Sequence, residues 1–166
     1  MEHHFWTTLT QKKYDLFFFD GHYKCCLRIE KVLDILLSIL SMGSLAAWFI
    51  TNNHTQIYAG IIVVSNVAMA VRPHLPYQSR ILELREMIDR LEYIYKDMER
   101  VWFKINSDKL TEEEIEEEYF NFEKKWLDCK GNYFKKDTLS TNNKRINNYA
   151  QKMKEDYFKN FLHEED

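Results

Sequence analysis

Asn66 is the polar residue most out of place in this 166-residue chain. It lies in residues 35–71, a run of 37 positions with no Asp, Glu, Lys or Arg. A primary amide in so apolar a run seeks a partner or water. Ser65 precedes it, Ser38, Ser41 and Ser44 recur at three-residue spacing earlier in the run, and Asp34 stands just before it. These groups suit two kinds of chemistry. They can join helices by hydrogen bonds where apolar surroundings give helices no hydrophobic drive to associate. In a ring of several chains they can instead line a polar path, with Asp34 adding negative charge at its mouth.

Other reactive residues make weaker patterns. His22, Cys25 and Cys26 are close together but lack a second ligand pair at a recognisable spacing, so no metal site is expected. Three cysteines, two of them adjacent, do not form a disulfide framework and suit a reducing compartment. Cys25 and Cys26 are chemically suited to S-acylation by their position alone. No P-loop, GxGxxG, HExxH, paired CxxC or GxSxG occurs, so neither a cofactor nor an enzymatic activity is expected. Six acids among residues 112–118 read as a solvated helix start that complements the helix dipole. A net charge of −3 gives no global attraction to nucleic acid, and sequence-specific binding to it is not expected.

The elements that must position Asn66 and the serines follow from length. A membrane-spanning helix needs roughly 20 apolar residues, so the uncharged run suits a hairpin of two. Residues 32–50 and 57–71 are the expected spans, joined by the polar turn 51–56. A cleaved signal peptide is not expected, because the apolar run starts near residue 32 and a second span follows at once. Lys24, Arg28 and Lys31 precede the hairpin, Arg72, Arg80 and Arg85 follow it, and the turn has no cation. The positive-inside rule then puts both termini in the cytoplasm. Trp48 and Tyr58 flank the turn at interfacial positions. Residues 1–31 carry aromatics interleaved with Lys12, Lys13, Lys24 and Arg28. They are expected to form a helix lying at the headgroups or packed on a cytoplasmic bundle.

Residues 72–166 read as cytoplasmic helices. Ile81, Leu84, Ile88, Leu91, Tyr95, Met98, Trp102 and Ile105 alternate at spacings of three and four, with Met87, Ile94 and Val101 as a second stripe. So wide an apolar face suits a bundle or a multi-chain assembly, and Ile81, Leu84, Ile88, Leu91, Tyr95, Met98 and Trp102 are the expected oligomerisation residues. Thr111 and Glu114 form a capping box ahead of a second helix with stripe Ile115, Tyr119, Phe122, Trp126 and Cys129. A third helix is expected from about residue 142 to 162, with stripe Ile146, Tyr149, Met153, Tyr157 and Phe161. The expected fold is all-α: a transmembrane helical hairpin (32–71) plus a cytoplasmic helical bundle.

The layout of two closely spaced spans, a tiny outer turn, basic cytoplasmic flanks and a long helical region resembles the SLATT-type two-span effectors of bacterial immune loci. It is also similar to the small membrane accessory proteins of type VI CRISPR loci, which stand beside RNA-guided RNA nucleases. The resemblance covers residues 28–130 and implies a homo-oligomeric pore-forming or membrane-depolarising effector in the bacterial inner membrane. The partners implied are the lipid bilayer, further copies of the chain, and an RNA-guided nuclease or another immune-locus protein. Some accessory proteins of this group are divergent HEPN ribonucleases, which use an Arg, four to six residues, then a His. Here Arg72 and His74 stand too close, and Arg145 meets no His before His163. A membrane-tethered ribonuclease is therefore an alternative, as is a non-conducting scaffold that docks a soluble partner.

Overall fold

The computed structural model describes residues 1–49, 60, 63–64, 66–67, 70, 77–133, 139 and 142–163, with side chains at these positions except 40–49, 77–79 and 161–163. Four helices dominate the described residues: α1 (Glu2–Phe49), α2 (Tyr77–Asn106), α3 (Glu112–Tyr133) and α4 (Lys144–His163). No strand occurs among the described residues, so the all-α class holds. Among them no helix is long and apolar enough to cross a membrane. The turn 51–56, most of the expected span 57–71 and the side chains of 40–50 lie outside the described residues.

The sequence explains where the helices start and stop. Both prolines, Pro73 and Pro76, fall before α2, so nothing in residues 1–49 removes a helix hydrogen bond. α1 accordingly runs unbroken through residues 31 and 32, where a change of element was expected. Asp108, two residues past the end of α2, adopts a left-handed conformation (φ 53°), which short polar side chains tolerate. The Asp108 and Lys109 N–H groups donate to the Ile105 and Lys104 carbonyls, both at 3.0 Å, and so satisfy orphan acceptors of the last α2 turn. The capping box forms as expected. Thr111 N–H donates to Glu114 Oε2 at 2.8 Å, and Glu114 N–H donates back to Thr111 Oγ1 at 3.4 Å. The Thr111 N–H and the Thr111 hydroxyl, which donates to the same oxygen at 2.9 Å, favour the carboxylate and hold the Glu114 pKa below its usual range. Asn143 caps α4 by accepting from the Arg145 and Ile146 N–H groups at 3.2 and 3.4 Å.

The chain divides into two compact units, Met1–Tyr23 with Leu82–Asp166, and Lys24–Ile81. The first is a bundle in which the start of α1 touches all three other helices. Against α2 the pairs are Phe5–Trp102, Lys13–Tyr95 and Tyr23–Arg85, so the two run antiparallel. Against α3 they are Phe5–Phe122, Lys12–Glu123 and Phe19–Lys130, so these run parallel. Against α4 they are Trp6–Phe158, Lys13–Tyr157 and Asp20–Tyr149, again antiparallel. Phe5, Leu9, Leu84, Met87, Leu91, Tyr95, Met98 and Trp126 are the largest fully buried side chains. Burying each apolar side chain of this size contributes about 1.5–3 kcal/mol. The second unit contains α1 from Lys24 onward and the start of α2. In it the Cys26 thiol lies within electrostatic reach of Arg80, and burial raises the thiol's pKa.

Candidate functional site

Two adjacent lysines stand at the centre of the bundle. Lys12 and Lys13 are both buried, although one helical step turns them toward different neighbours. Lys12 Nζ lies 2.8 Å from Glu123 Oε1 and 5.2 Å from the centre of the Trp126 ring, both on α3. Lys13 Nζ lies 3.7 Å from the Tyr157 ring centre, 4.3 Å from that of Tyr95 and 5.5 Å from that of Phe17. Three aromatic rings thus surround one ammonium, an arrangement that stabilises a desolvated cation. Burial lowers the Lys13 pKa, while the charges of Glu99 and Glu92 oppose that shift and Lys96 adds to it.

The rings around Lys13 join a wider polar group. The Tyr157 hydroxyl donates to the Glu99 carboxylate. The Tyr95 hydroxyl is buried without a hydrogen bond of ordinary geometry, with Glu99 and Tyr157 as its polar neighbours. Burial first, then the Glu99 charge, drive the Tyr95 pKa upward. Two residues beyond Lys13 on α1, Asp15 accepts a 3.3 Å hydrogen bond from the Gln11 amide. Burial raises its pKa against the opposing charges of Lys130 and Lys12. The cluster clamps α1 to α2, α3 and α4 through charge held among rings. Of the two placements the sequence leaves open for this segment, headgroup level or bundle, Lys12 and Lys13 are found packed in a bundle. The spacing carries a signal for Lys12, because Phe5, Leu9, Lys12, Leu16 and Phe19 fall on one stripe at steps of four and three.

The polar residues of the uncharged run are described only in part. Asp34 is half-buried, and the Ser38 hydroxyl donates to its backbone carbonyl at 2.8 Å. That bond satisfies Ser38 within its own helix. Asn66 is helical and exposed. The side chains of Ser41, Ser44 and Ser65 lie outside the described residues. Among the described residues, Asp34 and Ser38 are the members of the expected set that the structure brings together.

The expected oligomerisation stripe is used inside the chain. Leu84, Leu91, Tyr95 and Met98 are at most 1 % exposed, Ile81 is buried, and Ile88 and Trp102 are half-buried. Phe5 and Trp6 of α1 lie against Trp102, with ring centres 6.4 and 4.8 Å apart. The physical reason is the aromatic N-terminal segment, which supplies apolar cover to this stripe within a bundle, one of the two arrangements so wide a face suits. Among the described residues, large apolar side chains left uncovered on the bundle are Met1, together with Leu82, Tyr93 and Phe103 on α2 and Phe120 and Leu127 on α3. Between those helices runs an open groove flanked by Arg90, Tyr93, Lys125 and Asp128, with Cys129 at its lining.

On α1 in the second unit, Ile29, Val32, Leu36 and Ile39 recur at steps of three and four, with Ile35 beside them. All five are exposed, Ile35 at 59 % and Ile39 at 60 %. Val63, Val64 and Val67 are exposed to a similar degree. Among the described residues no group of three or more His, Cys, Asp and Glu is placed to hold a metal ion. Arg145 is exposed at the start of α4, and the side chain of His163 lies outside the described residues. No family model matches the chain, and no curated protein or solved structure matches it either.

Proposed function

We propose that this chain is a membrane-anchored, homo-oligomeric effector whose span hairpins create or gate a leak, in antiviral defence at the bacterial inner membrane. The observation that carries the reading is the uncovered apolar surface on α1 from Ile29 to Ile39, together with Val63, Val64 and Val67. It leads into, and lies within, the stretch of sequence that has no formal charge. Monomeric proteins in water rarely leave contiguous apolar surface of this kind open. In a bilayer it is the ordinary surface of a spanning helix. The bundle and its buried cations form the water-exposed part, and both termini are cytoplasmic.

Two short spans cannot enclose a path, so conduction requires several copies. With the α2 stripe buried, Leu82, Tyr93, Phe103, Phe120 and Leu127 are apolar residues of the bundle open to assembly. A polar path dissipates the gradient spontaneously, because one charge crossing 100 mV releases about 2.3 kcal/mol. The test is dye-reported membrane potential in bacteria expressing the chain, alone and with an active RNA-guided nuclease from an immune locus. Depolarisation that weakens in Asn66→Leu supports a conducting role for the hairpin. An unchanged potential under both conditions removes the effector reading.

A non-conducting scaffold is the second reading, favoured by the open groove between α2 and α3 with its mixed charges and exposed Tyr93. Capture of a soluble partner that is lost on Tyr93→Ala, without depolarisation, distinguishes it.

A further inference from the structure

We infer that Arg28 and Lys31 on α1 form a contact for the phosphate headgroups of anionic phospholipids. The inference rests on the membrane reading above and specifies which lipid the anchor prefers. Lys24, Arg28 and Lys31 follow at steps of four and three, so they share one edge of the helix. All three are exposed. The neighbouring edge carries the uncovered Ile29, Val32, Leu36 and Ile39, also at steps of three and four. The two stripes are continuous along one open side of α1. Cations dominate up to Lys31, and beyond it the exposed side is apolar save for the Ser38 hydroxyl.

The acids on this stretch stand elsewhere. Glu30 and Asp34 lie on the half-buried side, together with Leu27, Leu33 and Leu37. The helix thus separates its charges by side, with cations on the open one. A headgroup layer answers this pattern, with phosphate oxygens at the level of Arg28 and Lys31 and acyl chains beside Val32 to Ile39. Arg28 supplies a planar fork that binds phosphate through two hydrogen bonds, and Lys31 supplies a point charge one turn deeper. A second copy of the chain would be a poor occupant, because a parallel pairing would bring Arg28 and Lys31 against their own counterparts.

The test uses the purified full chain in phosphatidylcholine vesicles with and without phosphatidylglycerol. Spin-labelled phosphatidylglycerol and phosphatidylcholine report which lipid dwells at the protein. The expected result is a preference for phosphatidylglycerol that falls with added salt and weakens in R28Q/K31Q, on the order of five-fold per lost charge. Lys104 is an exposed cation at the end of α2, so K104Q should leave the preference intact. A wild-type chain that floats with vesicles but shows no lipid preference overturns the headgroup contact and leaves the membrane reading standing. Failure to float with either vesicle overturns both. Mild thiol oxidation that gives a dimer absent in C25S would assign this side of α1 to a second copy, because Cys25 is exposed on it.

Discussion

The Lys13 ammonium is held 3.7 Å from the centre of the Tyr157 ring, with the Tyr95 ring 4.3 Å away on another helix. A buried cation loses its water, and rings return only part of that loss, about 2 kcal/mol for a desolvated pair. Lys13→Met keeps most of the stem and removes the charge. Its thermal midpoint at neutral pH should equal or exceed that of the wild type, whereas Lys13→Ala should lose packing and about 1–3 kcal/mol. The pH dependence has a definite sign. The folded chain lowers the Lys13 pKa below 10.5, so the unfolded chain binds this proton more tightly. Wild-type stability relative to Lys13→Met should therefore rise as pH climbs through the lowered value toward 10.5. Paired melting curves measure it, and a difference that falls with pH would contradict the buried placement of Lys13.

Leu91 is wholly buried within the chain's own fold. Leu91→Ala should cost about 2–5 kcal/mol by removing buried methyl groups and leaving a cavity. The loss should be the same at every protein concentration, because the covering residues belong to the same chain. A midpoint drop that shrinks as the protein is concentrated would place Leu91 in a contact between copies instead.

Gly21 allows α1 and α4 to approach closely. A Cβ there would meet Ile146 Cγ2 at 2.8 Å and Tyr149 Cδ1 at 3.2 Å. Alanine improves helix propensity by up to about 1 kcal/mol, but the stiff, buried Ile146 side chain cannot yield cheaply. Gly21→Ala should therefore destabilise the bundle, and Gly21→Ala with Ile146→Leu, which carries no methyl on its β-carbon, should recover part of the loss. Chemical denaturation of the three chains tests the order; a single variant more stable than wild type would show that helix propensity outweighs the clash.

The three thiols should react in the order Cys25, Cys26, Cys129. Cys25 is exposed, Cys26 is partly covered and Cys129 is buried. Burial also raises the thiol pKa of Cys26 and Cys129, which lowers the reactive thiolate fraction. Timed alkylation followed by peptide mass measurement gives the order directly. Fast modification of Cys129 in the folded chain would mean that the α2–α3 pair opens.

Much of the architecture is local and so was legible in residue spacing. The Thr111–Glu114 capping box and the stripe Ile115, Tyr119, Phe122, Trp126 and Cys129, buried save for the half-buried Tyr119, each depend on neighbours within one or two helical turns. The charge-free run of residues 35–71 is likewise a property of the chain in one dimension. What covers each apolar stripe is set by contacts between distant residues, such as Phe5 with Trp102 and Asp20 with Tyr149. The 3.6-residue period states that the α2 stripe must be buried, but a second chain and the chain's own α1 satisfy that demand equally well. Only the tertiary structure decided for α1. It also decided the fate of Lys12 and Lys13, because a lysine on an apolar stripe can reach solvent or turn inward to rings and a carboxylate. Here Glu123, Tyr95 and Tyr157, all more than 80 residues away in sequence, are the groups that turn them inward.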